Sequence, residues 1–191
     1  MRTSSHNEIK LLTSVRIDYH DHFKLMERLP KENVFEFIRE NVKVDLPESA
    51  VIEMDAFYRL YTQSDELINV VDCRSKEEYD SCHISNAYHI DAYREDPTLI
   101  QYPIRTFFYS RIGERSSHVA AEELKKGVKA FNINGGLIEW LHYDGYCDFS
   151  NEEKKEVNVV EEKFARLVPA GFTPVYSHYS CFLVLNTVSV L

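Results

Sequence analysis

Short apolar runs alternate with amphipathic segments from residue 50 to about residue 145, and this alternation strongly constrains how the chain can fold. The runs are four to six residues long and typical of buried strands; they lie at residues 50–53, 67–72, 87–90, 104–109 and 128–133. Helical patterns follow them: one is expected to be capped by Asp55, one begins at the capping box of Ser75 and Glu78, and one closes at Gly127. Strands that alternate with helices predict an α/β fold, a central parallel sheet with short helices on both faces.

The strand, turn and helix between Ile104 and Leu124 form the most informative unit of this pattern. Ser110 directly follows the strand, Gly113 and Arg115 lie in the turn, and a helix pattern comes next. The backbone N–H groups of such a turn and the first turn of the helix together stabilise an anion or a thiolate. A cysteine at position 110 would therefore be reactive, whereas a serine hydroxyl is far less acidic.

Three stretches in order carry a family signature. The first runs from Val70 to Ala87 and reads Asp-Cys-Arg, then Glu-Glu-Tyr, then Cys-His-Ile-Ser-Asn-Ala. The second is Tyr-Ser-Arg-Ile-Gly-Glu-Arg-Ser at 109–116, and the third contains Gly-Gly-Leu-Ile-Glu-Trp at 135–140. Together they resemble a single-domain rhodanese, a sulfurtransferase family, with Ser110 at the position of the family's catalytic cysteine.

This resemblance implies a rhodanese-like fold and a set of site residues. Ser110 holds the catalytic position, and the residues of the loop that would bind an anion or substrate are Arg111, Ile112, Gly113, Glu114, Arg115 and Ser116. Supporting residues are Asp72, Arg74 and His83, of which the first two are expected to form a structural pair. Cys82 and Ser85 depart from the glycine and proline that the family has around His83. The six-residue loop resembles the sulfur-handling branch, because related phosphatases have a loop one residue longer.

Two functions remain open from the sequence. The first is a non-catalytic binding or regulatory module that keeps an anion-binding loop, and the alternative is a sulfurtransferase whose cysteine is replaced by Ser110 in this chain. A hydroxyl cannot carry a sulfane sulfur, so the domain is expected to be inactive as written. His118 could activate Ser110 for hydrolysis, but it is eight residues further along the chain. Cys73 could supply another thiol, but a core residue is the simpler interpretation.

Composition and charge narrow the classes of partner that this chain is expected to bind. A net charge of −9 argues against nucleic acid and against acidic membrane surfaces. The expected partner is another protein or a small sulfur-containing anion, with no cofactor and no metal. His20 and His22 are read as surface residues because further ligands at suitable spacing are missing. The N-terminal sequence lacks the pattern of a secretory signal and the four cysteines form no Cys-x-x-Cys motif, which favours a cytoplasmic location.

The domain prediction divides the 191 residues into three parts. Residues 1–49 form an N-terminal extension with one helix starting near Pro30, residues 50–149 form the rhodanese-like domain, and residues 150–191 form a C-terminal extension. Within that extension, residues 151–166 are expected to be an exposed helix or a linker, and residues 168–174 are expected to break regular structure. The apolar run at 182–191 is read as a packed tail, with a membrane anchor as the minority alternative.

Overall fold

The computed structural model describes residues 27–44, 46–100 and 104–176. Its helices are α1 (Lys31–Asn41), α2 (Met54–Gln63), α3 (Lys76–Ser81), α4 (Ile90–Glu95), α5 (Glu114–Lys125) and α6 (Gly136–His142), with 3₁₀ helices η1 (Glu48–Ala50), η2 (Pro97–Ile100) and η3 (Glu162–Leu167). Its strands are β1 (Val51–Ile52), β2 (Ile68–Asp72), β3 (Cys82–Ile84), β4 (Tyr88–His89), β5 (Arg105–Tyr109), β6 (Ala130–Ile133), β7 (Cys147–Phe149), β8 (Glu156–Asn158) and β9 (Thr173–Val175).

The predicted parallel sheet is confirmed. Five strands lie in the order β1-β6-β5-β2-β4, and every pair in this sheet is parallel. The central strand β5 pairs with β2 on one side, with Asp72 opposite Tyr109, and with β6 on the other. Ser110 therefore leaves the carboxyl end of the middle strand, where ligands of parallel α/β sheets bind.

Helices cover both faces of the sheet, as expected. Successive strand residues point to opposite faces, so Phe107 belongs to one core cluster and Phe108 to the other. The first cluster holds buried side chains of α1, α2 and α6, and the second holds those of α4 and α5. Trp140 of α6 is fully buried in the first cluster, beside the ring of Phe57.

Several local predictions hold and others are wrong. The capping box of Ser75 and Glu78 is formed, and the N-terminal helix begins directly after Pro30. The predicted cap Asp55 lies inside α2, because the helix begins two residues earlier than predicted, at Met54, with Glu53 at its N-cap. Ile90, predicted to end a strand, begins α4.

The largest correction concerns the segment after residue 150. Residues 151–166 form neither an exposed helix nor a linker, because they contain β8 and most of η3. Residues 168–172 lie outside helices and strands, as predicted, whereas residues 173 and 174 begin β9, which pairs with β8. Phe164 and Leu167 of η3 are buried in the first core cluster. The apolar runs in this segment are too short to predict a helix. Contacts with distant parts of the chain hold these residues in place, and a pattern in the sequence does not report such contacts.

The two predicted extensions pack against each other as well as on the domain. The N–H of Leu29 donates to the carbonyl of Arg166 at 3.0 Å, and an imidazole nitrogen of His142 in α6 lies 2.8 Å from the carbonyl of Leu167. His20, His22, Cys181 and the tail at 182–191 lie outside the described residues. Within the described ranges, no helix is long and apolar enough to cross a membrane.

Candidate functional site

The side chain of Ser110 is enclosed at the end of β5. The residue is 1% exposed, its hydroxyl oxygen accepts a hydrogen bond from the backbone N–H of Gly113 at 3.2 Å, and the hydroxyl of Ser116 lies 3.3 Å away. Ser116 in turn donates to the side-chain oxygen of Asn132 at 2.6 Å. The partners of the Ser110 hydroxyl are thus an amide and another hydroxyl, neither of which is a base.

Two glycines allow the loop to reach this position. Gly113 has a φ of +96° at the N-cap of α5, and Gly136 has a φ of +54° at the start of α6. A Cβ on Gly136 would lie 2.2 Å from the carbonyl oxygen of Ser110. That carbonyl accepts from the N–H of Leu137 at 2.9 Å, so the loop docks on the first turn of α6. Gly136 of the third motif is therefore required by the loop of the second.

Both loop arginines share one buried carboxylate. Arg115 donates from one nitrogen to both oxygens of Glu78, each at 2.9 Å, and Arg111 lies 3.3 Å from the same side chain. Glu78 is 1% exposed. Burial alone would raise its pKa, but the charges of Arg115, Arg74 and Arg111 outweigh burial, so the pKa of Glu78 is lowered. The sequence indicated Glu78 as a helix cap; its role as counter-ion of the loop was missed.

The segment after β8 covers the other side of Arg111. The guanidinium lies 4.3 Å from the ring centre of Phe164, and one of its nitrogens is 3.9 Å from a carboxylate oxygen of Glu161. Burial lowers the pKa of Arg111. Neither Glu161 nor Phe164 was indicated by a sequence signal, because both come from a segment some fifty residues further along the chain. The loop is thus covered by a part of the chain outside the three motifs.

Asp72 and Arg74 form the predicted structural pair. The carboxylate of Asp72 accepts from the Arg74 side chain at 2.7 to 3.0 Å, and from its backbone N–H at 2.9 Å. Both side chains are fully buried. Burial alone would lower the pKa of Arg74, but the charge of Asp72 outweighs it and the pKa is raised. Arg74 also donates to the carbonyl of Cys82, so the pair joins β2 to β3.

His83 has partners away from the loop. Its ring stacks on Tyr79 with centroids 3.9 Å apart, one ring nitrogen lies 2.9 Å from the carbonyl of Tyr79, and the other lies 3.4 Å from the carboxylate of Asp148. These three contacts hold β3 against α3 and β7. Because they are made to elements other than the loop, a supporting role for His83 in the loop stays a prediction.

The alternative nucleophile and base are poorly placed for catalysis. Desolvation raises the pKa of the half-buried Cys73 thiol well above its ordinary 9.0, and a thiol of raised pKa is a poor nucleophile. His118 is exposed on α5, whereas Ser110 is enclosed. Among the described residues, no group of three or more His, Cys, Asp or Glu side chains is arranged to hold a metal ion.

The fold and the site together define the class of this protein. It is a parallel α/β domain with a tight loop between its central strand and the following helix. In the comparison with known proteins, residues 54–143 match the model of the rhodanese-like domain. The chain therefore contains a rhodanese-like domain, with Ser110 in its loop. The comparison with curated protein sequences gave no match.

Solved structures similar to this chain include three of bacterial or archaeal origin. A rhodanese-like domain protein from Staphylococcus aureus is 25% identical, with a TM-score of 0.43, over 47% of this chain and 89% of that one. A rhodanese-related protein from Thermoplasma volcanium is 18% identical, with a TM-score of 0.44, over 51% and 96%. A protein of unknown function from Rhodopseudomonas palustris, described as a possible tyrosine phosphatase, is 16% identical, with a TM-score of 0.45, over 64% and 97%.

Replacing Glu78 by glutamine is expected to destabilise the protein by about 2 kcal/mol, since charged hydrogen bonds to both arginines weaken. The wild-type pKa is below the ordinary 4.5, so the charge stabilises the fold above that pH and this stabilisation is lost as the pH falls through the lowered pKa. Urea unfolding at pH 7 and at pH 3 measures the difference, which should shrink at pH 3. Glu77→Gln on the exposed side of α3 is the control, and an equal effect of both changes would contradict the assigned role.

Proposed function

We propose that this rhodanese-like domain is a non-catalytic binding or regulatory module. The observation that carries the proposal is a complete loop built around a buried hydroxyl. The Gly113 amide and the Ser116 hydroxyl meet at the side chain of position 110, as a thiolate would require, yet the atom there is oxygen. Sulfur transfer passes through a sulfur–sulfur bond on the enzyme, which oxygen cannot form.

Hydrolysis by Ser110 has little support in the geometry. A serine nucleophile needs a base within hydrogen-bond reach and an approach for the substrate. The contacts of the Ser110 hydroxyl are to an amide and a hydroxyl, and the residue is 1% exposed. An enclosed oxygen without a neighbouring base supports a structural role within the loop.

The loop keeps part of an anion site. The twelve-residue helix α5 starts at Glu114, so its first amides favour a negative charge. The positive side chains contribute less, because Arg111 and Arg115 both already form an ion pair with Glu78. A small sulfur-containing anion is therefore expected to bind weakly, mainly through backbone N–H groups.

The charges of the chain disfavour nucleic acid, so the partner that we expect is a protein. The net charge of −9 disfavours a polyanion, and the loop arginines are already paired. Cys73, Cys82 and Cys147 are free thiols, which is compatible with the reducing cytoplasm that we propose as its location.

The assay for thiosulfate:cyanide sulfurtransferase tests the proposal. The purified protein is expected to form thiocyanate no faster than the uncatalysed reaction. Robust turnover with Ser110 in place would overturn the non-catalytic assignment. The alternative function, a sulfurtransferase with cysteine at position 110, is favoured by the intact surroundings of that side chain and requires the substitution Ser110→Cys.

A further inference from the structure

The side chain at position 110 belongs to a short chain of hydrogen bonds. The backbone N–H of Gly113 donates to the hydroxyl oxygen of Ser110 at 3.2 Å, and the hydroxyl oxygens of Ser110 and Ser116 lie 3.3 Å apart. The Ser116 oxygen also lies 2.6 Å from Oδ1 of Asn132 and 3.2 Å from the carbonyl oxygen of Gly113. Ser116 thus has two acceptors beside it in addition to the side chain at position 110.

The single proton of the Ser116 hydroxyl sets the direction of this chain. A hydroxyl has one proton to donate and two lone pairs with which to accept. The contact with Asn132 is the shortest that the Ser116 oxygen makes, and 2.6 Å is the distance of a donated O–H···O bond. The proton therefore lies toward Asn132, and the Ser116 oxygen presents a lone pair to Ser110. The hydroxyl of Ser110 can donate its own proton to that lone pair.

The fold holds Asn132 in place for this contact. Asn132 lies in β6, paired with Val51 of β1 on one side and with Phe108 of β5 on the other. Phe108 belongs to the core cluster that packs against α5, the helix that carries Ser116. Asn132 and Ser116 are both 0% exposed, so water offers neither of them another partner.

We propose that Asn132 is a positioning residue that adapts this site to a hydroxyl. Because Asn132 holds the Ser116 proton, the side chain at position 110 faces one donor, the Gly113 amide, and one acceptor, the Ser116 oxygen. A hydroxyl satisfies both groups, since it accepts and donates. A thiolate only accepts, so it would face a lone pair of Ser116 in a site closed to water. This inference rests on the proposed function and deepens it, because it extends the adaptation of the loop beyond residue 110.

The acidity of a cysteine at position 110 tests this role. Ser110→Cys is the reference, and the midpoint of its ionisation is read from the Cβ chemical shift of labelled cysteine in NMR spectra, with the wild-type spectrum identifying the other cysteines. Adding Asn132→Leu leaves the Ser116 proton available to the thiolate. A hydrogen bond to a charged group should lower the midpoint by about one pH unit or more. Nδ2 of Asn132 has no hydrogen-bond partner in the described part of the chain, so leucine removes only the interaction with Ser116.

Two further changes in the Ser110→Cys protein make the test specific. Ser116→Ala removes the lone pair that faces position 110, so the midpoint is expected to stay the same or to fall. If the Ser116 hydroxyl donated to the thiolate instead, the midpoint would rise. Asn69→Leu is the matched control, because Asn69 is a buried asparagine of the same sheet that donates to the carbonyl of Leu99. It pairs with the strand β5 near its start, whereas residue 110 follows its end, so the midpoint should not move.

Two results would overturn the proposal. One is a midpoint that does not fall when Asn132→Leu is added and the melting temperature is kept, and the other is a midpoint that rises with Ser116→Ala. If the Asn132→Leu protein does not fold, the sign of the Ser116→Ala change decides alone. The wild-type protein has no thiol at position 110, so its sulfurtransferase assay is independent of these midpoints. Failure of the proposed function is thereby distinguishable from failure of this inference.

Discussion

Replacing Asp72 by alanine is expected to destabilise the protein by about 3 to 5 kcal/mol, because it leaves the fully buried guanidinium of Arg74 without its counter-ion. Arg74 would keep its bond to the carbonyl of Cys82, a neutral acceptor that does not compensate a buried charge. Equilibrium unfolding in urea gives the change in the free energy of unfolding. Because the pair is buried, β2 and β3 are held together only while both of its charges are present.

A matched ion pair on the surface supplies the control. Asp55 and Arg59 lie 3.0 Å apart on α2, with both side chains at least half exposed. Asp55→Ala is expected to cost less than about 1 kcal/mol, since water screens exposed pairs. If both alanine variants were equally stable, the structural role assigned to the pair of Asp72 and Arg74 would be wrong.

Replacing Gly136 by alanine is expected to destabilise the protein by about 2 to 5 kcal/mol. The left-handed backbone at this residue costs an alanine about 1 to 2 kcal/mol. The new Cβ would also lie 2.2 Å from the carbonyl oxygen of Ser110 and 2.9 Å from the backbone of Arg111, and forcing these atoms apart costs about 1 to 3 kcal/mol more. Urea unfolding measures the total.

Gly171 separates the two costs. Its φ is +93°, and a Cβ there would meet no atom within 4 Å, so Gly171→Ala carries the backbone cost alone. The difference between the two variants therefore measures the clash with the loop. A Gly136→Ala protein as stable as Gly171→Ala would show that the loop does not dock on the first turn of α6.

The sequence predicted the elements whose signals are local. The apolar run at 104–109 can be interpreted only as a strand, because five of its six residues suit a buried strand. Gly127 follows the helix that comes after this strand. The capping box of Ser75 and Glu78 acts within four residues. Such signals need no knowledge of distant chain segments, which explains why the sheet and most helices could be predicted.

The segment after residue 150 could not be predicted for the opposite reason. Strand β8 is three residues long and gains its place by pairing with β9, some fifteen residues later. Phe164 lies in a charged stretch, Glu-Glu-Lys-Phe, that resembles an exposed helix until the groups around Arg111 are known. Tertiary contacts determine whether these elements form, and local sequence propensity carries no information about those contacts.

The candidate site divides in the same way. Asp72 and Arg74 are two residues apart within one motif, so their pairing could be expected. Glu78 and Arg115 are thirty-seven residues apart and belong to different motifs, so their ion pair required the fold. The fold also revises the roles expected of the loop residues. The loop arginines are counter-ions of Glu78, and the side chain of Ser110 is enclosed.

The intact mass of the protein after incubation with thiosulfate tests the central claim most directly. The wild-type protein is expected to gain no sulfur, whereas Ser110→Cys, whose thiol would meet the Gly113 amide and the Ser116 hydroxyl, is expected to gain one sulfur atom on residue 110 if the loop still forms a competent cradle. A Ser110→Cys protein that stays unmodified would count against the alternative function. A wild-type protein that gains sulfur and passes it to cyanide would contradict the account of a non-catalytic module.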